Sequence, residues 1–246
     1  GSVSDRLSPL PDATLNRVKA SFRDPDGRWV GTSGRVRVVA FGTKAYRADE
    51  LPDDVLAYSQ PKYAARLGIA PTNASFQAFV TALRLKVGDD RAKKFLADLK
   101  ANGVKTFEGN RPIVEAIADG EVDLGLVNHY YLALVKKERP DAAVENKFLA
   151  AGDPGSLVNV AGAGVLSTAK NTDGATKLVD FLLSQDGQRF YATEAEENEY
   201  PPVPGVHPAK GLPPLDTLVG ESQPLSKLGS EEKATLEMIT EVGLTS

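Results

Sequence analysis

Hydrophobic and polar residues follow two periods that alternate along the chain. The segment RVRVV, residues 35–39, alternates with period two, which predicts a β-strand. Apolar residues then recur at spacings of three and four from about Ser75, which predicts an amphipathic helix with Phe76, Phe79, Val80 and Leu83 on one face. The repeated exchange of the two periods predicts an α/β fold with a mostly parallel sheet.

The clearest helix-strand unit is EGNRPIVEAIADGEVDLGLV, residues 108–127. Asn110 can cap the helix, Gly120 can end it, and residues 122–127 form an apolar strand. That strand runs into the sequence NHYY, residues 128–131, where a further helix begins. A second long strand is predicted within LVNVAGAGVL, residues 157–166.

Composition removes several classes of protein. The 246 residues are 41% hydrophobic and 25% charged, which is typical of globular proteins. The net charge is −4 and the Lys and Arg residues are scattered, so no nucleic-acid partner is indicated. No apolar run approaches the roughly 20 residues of a membrane span. The absence of Cys excludes disulfides and thiolate metal sites and fits an oxidising envelope compartment.

Short polar side chains stand at three predicted helix starts that follow strands. They are Asn73-Ala74-Ser75, Asn110 and Asn128. In open α/β sheets, ligands bind beyond the carboxyl ends of the strands, where helix N–H groups point outward. The three starts together predict a neutral cradle for a small oxyanion, with Arg35 as its charged partner. The alternative is that each side chain is only a helix cap.

Two adjacent tyrosines, Tyr130 and Tyr131, follow the central strand directly. A phenol has an unperturbed pKa near 10, so it becomes a strong ligand only beside a cation that stabilises phenolate. Ferric iron is such a hard, oxygen-seeking cation. Adjacent side chains diverge in regular elements but can converge at a strand-to-helix turn. The alternative is that one ring packs in the core while the other makes a surface hydrogen bond.

An enzyme is not indicated, and no catalytic residues are assigned. Acid–base catalysis requires converging titratable groups, whereas Asp119, Glu121 and Asp123 flank a helix-to-strand turn and suit solvent. The chain has no G-x-S-x-G elbow and no phosphate-binding P-loop. The AGAGVL sequence lies late in a strand, which is the wrong place for a dinucleotide fingerprint.

Several segments resemble one protein family across essentially the whole chain. These are APTNASFQAFVTALR, AIADGEVDLGLVNHYYL, GDPGSLVNVAGAGVL, FLLSQDGQRFYA and EYPPVPGV. They are similar to the periplasmic ferric-ion-binding proteins of iron ABC transporters, the bacterial transferrins. The resemblance implies a periplasmic-binding-protein type II fold, in which two α/β lobes joined by two hinge strands close over a ligand.

The resemblance also implies the lobe boundaries. Residues 1–36 and 161–211 would form a partial N-terminal lobe, and residues 37–160 and 212–246 would form the C-terminal lobe. The hinge strands would lie near 35–39 and 158–163. Compared with the family, the opening strand-helix-strand stretch is missing, so the first lobe is expected to be incomplete.

The implied site contains Fe³⁺ and a synergistic anion. Tyr130 and Tyr131 match the family's paired iron ligands, and Asn73, Ala74, Ser75, Asn110 and Asn128 match its anion cradle. Arg35 matches an anion-contacting arginine. Phosphate and carbonate both remain open as the anion, because the chain reads Asn-Ala-Ser where the family pattern is often Ser-Gly-Ala. The two histidines, His129 and His207, do not match the ligand that the missing stretch supplies, and we expect neither to bind iron.

We therefore expect an extracytoplasmic, periplasmic or envelope-exposed monomer that delivers ferric iron to an ABC permease. One alternative is a binding protein for a small anion or organic ligand of the phosphate or thiamine class. Another is a truncated form that is unable to bind iron because the first ligands are gone.

Overall fold

A computed structural model of the chain describes residues 4–219 and 225–245. Within these residues the strands are β1 (Leu7–Ser8), β2 (Val30–Gly42), β3 (Leu67–Ile69), β4 (Lys105–Thr106), β5 (Leu124–Asn128), β6 (Val144–Lys147), β7 (Val158–Ala163) and β8 (Val165–Leu166). The α-helices are α1 (Asp12–Leu15), α2 (Pro61–Ala64), α3 (Ala74–Val87), α4 (Asp89–Ala101), α5 (Asn110–Asp119), α6 (Tyr131–Glu138), α7 (Thr172–Leu182), α8 (Gln185–Arg189), α9 (Leu225–Ser230) and α10 (Glu232–Val242).

The main sheet is mixed rather than mostly parallel. Its strand order is β4-β3-β5-β2-β6, and β7 also pairs with β2. Strands β3, β4 and β5 are parallel, as helix crossovers require. Strand β2 runs antiparallel to both β5 and β6. The expectation of a mostly parallel sheet was wrong at β2, because this strand reaches the sheet from earlier in the chain and not through a βαβ crossover.

The chain divides into two compact units. Among the described residues, unit 1 contains 4–35, 158–217 and 225–230, and unit 2 contains 36–157, 218–219 and 231–245. This division places 158–160, 212–217 and 225–230 in unit 1, where the sequence-based boundaries place them in the second lobe. Residues 1–3, 220–224 and 246 of the expected lobes lie outside the described residues.

The core of unit 2 has one hydrophobic layer on each face of the sheet. Because side chains alternate along a strand, β2 sends Val39 and Phe41 to one layer and Val38 and Ala40 to the other. The first layer is completed by α3, α4 and α10, and the second by α5 and α6. Burial on both faces explains why β5 reads as a nearly continuous apolar run. Strand β2 is likewise buried along nearly its whole length, although it contains polar residues.

Unit 1 carries four of the five large apolar side chains that are exposed among the described residues. Its large exposed apolar side chains are Leu166, Leu178, Phe181 and Phe190, whereas unit 2 contributes Leu236. Three of the four lie on α7 or immediately after α8. None of the helices in the described ranges has both the length and the apolar character needed to cross a membrane.

The packing of β5 against α5 generates a stability prediction. A Cβ atom added at Gly125 would lie 2.3 Å from Ile113 Cγ2, whereas one added at Gly42 on β2 would lie 3.5 Å from Ile117 Cγ2. We expect Gly125→Ala to lower the free energy of unfolding by about 1–3 kcal/mol through overpacking. Gly42→Ala, as the matched control, should change it little. Urea denaturation of both variants is the measurement, and equal midpoints would contradict this packing.

Candidate anion and metal site

Three helix starts meet at one edge of the sheet in unit 2. Strands β3, β4 and β5 are parallel neighbours, and each is followed by a helix, α3, α5 or α6. Their carboxyl ends therefore open on the same side. The first turn of each helix presents backbone N–H groups without helical partners, and Ala74 occupies the first position of α3. The local chain geometry thus assembles an edge suited to an anion.

The polar side chains of the three starts contact one another. Asn110 Nδ2 donates to Asn73 Oδ1 and to Ser75 Oγ, each at 3.2 Å. The backbone N–H of Asn128 donates to Asn110 Oδ1 at 3.0 Å. We call Asn73, Ser75, Asn110 and Asn128 the asparagine cradle. The structure therefore brings four of the residues expected from sequence into one cluster.

Helix capping accounts for only one of the three asparagines of the cradle. Asn73 caps α3, because its Oδ1 accepts from the backbone N–H of Ser75 at 3.0 Å. Asn110 is instead the first residue of α5. The cap position belongs to Gly109, which has no side chain to cap the helix. The side chain of Asn128 caps nothing, since Tyr130 holds the cap position of α6. Asn110 and Asn128 are 2% and 3% exposed, so their amides depend on buried hydrogen-bond partners.

An arginine that the sequence analysis did not select completes the cluster. Arg37 Nη1 donates to Ser75 Oγ and Asn110 Oδ1 at 3.0 Å each, and to Asn128 Oδ1 at 3.5 Å. Its Nη2 donates to the carbonyl oxygen of Leu126 at 2.6 Å. The guanidinium carbon lies 5.7 Å from the centre of the Phe79 ring. The signal in the sequence was a charged residue inside the apolar run of β2.

The charge on Arg37 is buried without a counter-charge. The residue is 3% exposed, and in the part of the chain that the structure describes no carboxylate pairs with it. Burial lowers the pKa of Arg37 to about 9, and attraction to Tyr130 and Tyr131 partly offsets that decrease. Arg37 therefore stays positive at neutral pH. An isolated buried cation is costly, so the cradle favours an anion.

Arg35, the arginine expected to contact the anion, has another partner. Its Nη2 and Nε donate to Glu199 Oε1 at 2.9 and 3.2 Å, and both residues belong to unit 1. Arg35 and Arg37 are two residues apart on β2, but the boundary between the units falls between them. In the described chain the arginine that contacts the asparagine cradle is thus Arg37, and the charge of Arg35 is already matched by a buried carboxylate.

The two tyrosines lie side by side next to the cradle. Their ring centres are 4.5 Å apart with planes inclined by 34°. Tyr130 precedes α6 in a helical conformation and Tyr131 is the first residue of that helix. Asn128 Nδ2 donates to Tyr130 Oη at 3.5 Å. Both rings are half-buried, so neither is sealed in the core, and both phenols are within electrostatic range of Arg37.

The two histidines lie in different units. His129 is 2% exposed, and its Nδ1 accepts the backbone N–H of Val36 at 3.2 Å. His207 is exposed in the proline-rich connection of unit 1. Among residues 4–219 and 225–245, no three His, Cys, Asp or Glu side chains are grouped so that they could hold a metal. The oxygen donors of the cluster in unit 2 are the tyrosine phenols, the asparagine amides and the hydroxyl of Ser75.

Comparison with known proteins gives the family. Residues 4–216 match the family described as bacterial extracellular solute-binding protein. The major ferric iron-binding protein of Neisseria meningitidis serogroup B is 35% identical over 242 residues, covering 95% of this chain and 71% of that protein. The chain belongs to this family of extracellular solute-binding proteins, which confirms the resemblance seen in the sequence.

Solved structures of similar proteins confirm the fold. Iron-bound HitA from Pseudomonas aeruginosa superposes with a TM-score of 0.89 at 30% identity, covering 98% of this chain and 78% of that one. The Trichodesmium protein IdiA (FutA), in complex with iron and citrate ligands, gives 0.87 at 29% identity, covering 97% and 78%. The chain has the α/β periplasmic-binding-protein type II fold.

The contacts of Arg37 generate a second prediction. A lysine cannot reproduce the planar fork that reaches the cradle oxygens and Leu126 together, so Arg37→Lys leaves buried acceptors unpaired. We expect it to lower the free energy of unfolding by about 1–3 kcal/mol. Arg35→Lys is the control, because an ammonium can keep the pairing with Glu199 and the loss should be smaller. Chemical denaturation distinguishes the two, and a larger loss for Arg35→Lys would contradict the contacts described.

Proposed function

We propose that this protein binds ferric iron outside the cytoplasmic membrane and delivers it to an ABC permease. Tyr130 and Tyr131 act as phenolate ligands, and a small anion in the asparagine cradle fills further coordination positions. The observation that supports this most is the stacked tyrosine pair beside the buried charge of Arg37. The periplasmic location and the permease partner rest on the family.

The chemistry of the donors favours ferric iron over other cargo. Hard, highly charged cations select oxygen ligands, and tyrosine phenolate is an established ligand of iron in proteins. The half-buried rings leave the phenols accessible to an ion. Two phenolates provide two negative charges against the three positive charges of the ion, so an anion brings the centre closer to neutrality. Binding of cargo, and not turnover of a substrate, is the role that this donor set supports.

The anion position follows from the charges in unit 2. Arg37 and Fe³⁺ carry like charges, and a negative group near both offsets their repulsion. An anion held by the cradle would contact the guanidinium region on one side and the metal beside the tyrosines on the other. Phosphate and carbonate are the species that we propose, and the citrate named with the Trichodesmium relative makes carboxylates worth testing as well.

Replacement of the tyrosines tests the metal ligands. Iron bound by phenolate gives a visible charge-transfer band, so adding a ferric salt to the iron-free protein should produce colour. We expect the double variant Tyr130→Phe/Tyr131→Phe to lose this band and to weaken iron binding by more than the roughly 10–100-fold typical of outer-shell changes. Tyr46→Phe, a partly buried tyrosine of the same unit, is the matched control. A wild-type protein that stays colourless would refute the proposal.

A second function is an anion-binding protein in which the tyrosines only stack. The specific observation in its favour is that the cradle and Arg37 already form a hydrogen-bonded cluster, which a bond of 3.5 Å joins to Tyr130. The ligand would then be a phosphate-class or thiamine-class compound.

A titration with anions distinguishes the two proposed functions. We expect phosphate, carbonate and citrate, each tested alone, to raise iron affinity in the wild type, and Arg37→Met to abolish that increase because it removes the buried charge. Calorimetry with each anion in the presence and absence of iron is the measurement. Tight anion binding that survives in the double Phe variant, with no iron band in the wild type, would favour the second function.

A further inference from the structure

The junction between β5 and the tyrosines contains an unusual hydrogen-bond exchange. Strands β2 and β5 are antiparallel with Arg37 opposite Asn128, so the next pair in register is Val36 opposite His129. In an antiparallel ladder, every second pair of opposite residues exchanges two backbone hydrogen bonds. The first is present, because the N–H of His129 donates to the carbonyl oxygen of Val36 at 2.9 Å.

The imidazole of His129 takes the place of the second backbone bond. The N–H of Val36 donates to Nδ1 of the ring at 3.2 Å and not to the backbone carbonyl of His129. That carbonyl oxygen instead accepts from Asn146 Nδ2 on β6 at 2.8 Å. The N–H of Val36 and the carbonyl oxygen of His129 therefore both have hydrogen-bond partners, although the peptide of His129 turns away from β2. We call the contacts of His129 with Val36 and Asn146 the histidine clamp.

The clamp fixes the start of the tyrosine pair. Arg37 directly follows Val36, and Tyr130 directly follows His129, so the clamp sets the position of the tyrosines relative to the buried guanidinium. The ring of His129 also packs edge-on against Tyr130, with centres 5.7 Å apart and planes at 82°. We infer that His129 is a positioning residue that turns the chain out of the sheet and aligns Tyr130 and Tyr131. This inference rests on the proposed iron function.

A purely space-filling role would not need these atoms. A leucine could fill a similar buried volume, but it would leave the N–H of Val36 without an acceptor. An asparagine places a side-chain oxygen close to the position of Nδ1 and can keep that bond. The two substitutions therefore separate the acceptor function from the packing function.

The test compares His129→Leu with His129→Asn in iron binding. We expect His129→Leu to weaken iron binding by about 10–100-fold, as for outer-shell partners of metal ligands, and to shift the wavelength of the charge-transfer band. His129→Asn should recover most of the lost affinity and the original band. His207→Leu, at the exposed histidine of unit 1, is the matched control and should resemble the wild type.

Equal affinities and equal band positions for the Leu and Asn variants would overturn the inference. If His129→Leu does not fold, Asn146→Ala tests the same inference, because Asn146 makes the second contact of the clamp. It leaves the carbonyl of His129 without its donor, and it should weaken iron binding and shift the band in the same direction. A wild-type band and affinity in Asn146→Ala would overturn the inference.

Hydrogen exchange separates this inference from the proposed function. In iron-free protein, the amide of Val36 should be protected in the wild type and in His129→Asn, and should exchange at least about tenfold faster in His129→Leu. An unchanged exchange rate of the Val36 amide in His129→Leu would refute the histidine clamp, even if the protein binds iron. A wild-type protein that stays colourless with ferric salt but shows the expected exchange pattern would refute the iron function and support the histidine clamp.

Discussion

A single buried charge, the guanidinium of Arg37, constrains the rest of the site. It is held by neutral oxygens, which satisfy its hydrogen bonds but leave its charge uncompensated. A protein interior tolerates such an ion only when other groups offset its cost. Here the aromatic face of Phe79 and the amide dipoles of the cradle provide part of that compensation. The part of the charge that stays uncompensated is the reason why we propose an anionic ligand at this site.

The fold brings that charge to the correct edge of the sheet. Three parallel strands direct their carboxyl ends, and the helices that follow, to one side. Strand β2 runs the other way between β5 and β6, so it places a side chain from far earlier in the sequence beside Asn128. Hydrophobic layers on both faces hold the sheet in register. A slip of one residue would exchange those layers and move Arg37 to the opposite face.

Membership of the solute-binding family and the local geometry of unit 2 describe different aspects of the protein. The family comparison establishes the fold and the general role of ligand capture. The geometry adds the positions of two adjacent phenols and a buried cation. In the function that we propose, the buried cation attracts an anion, the anion offsets the repulsion between that cation and Fe³⁺, and the two phenolates bind the metal directly. In this proposal, each charged group is stabilised by the opposite charges around it.

The sequence by itself determined the elements and most of the polar residues of the site. The periods of Phe76–Leu83 and of residues 122–127 predict a helix and a strand that the structure contains, because local patterns fix which face of an element is buried. Asparagines after strands mark the binding edge for the same local reason. Only the tertiary structure showed that Arg37 contacts the asparagine cradle while Arg35 pairs with Glu199. The two have the same residue type and strand face, and only long-range contacts give one a carboxylate and leave the other without one.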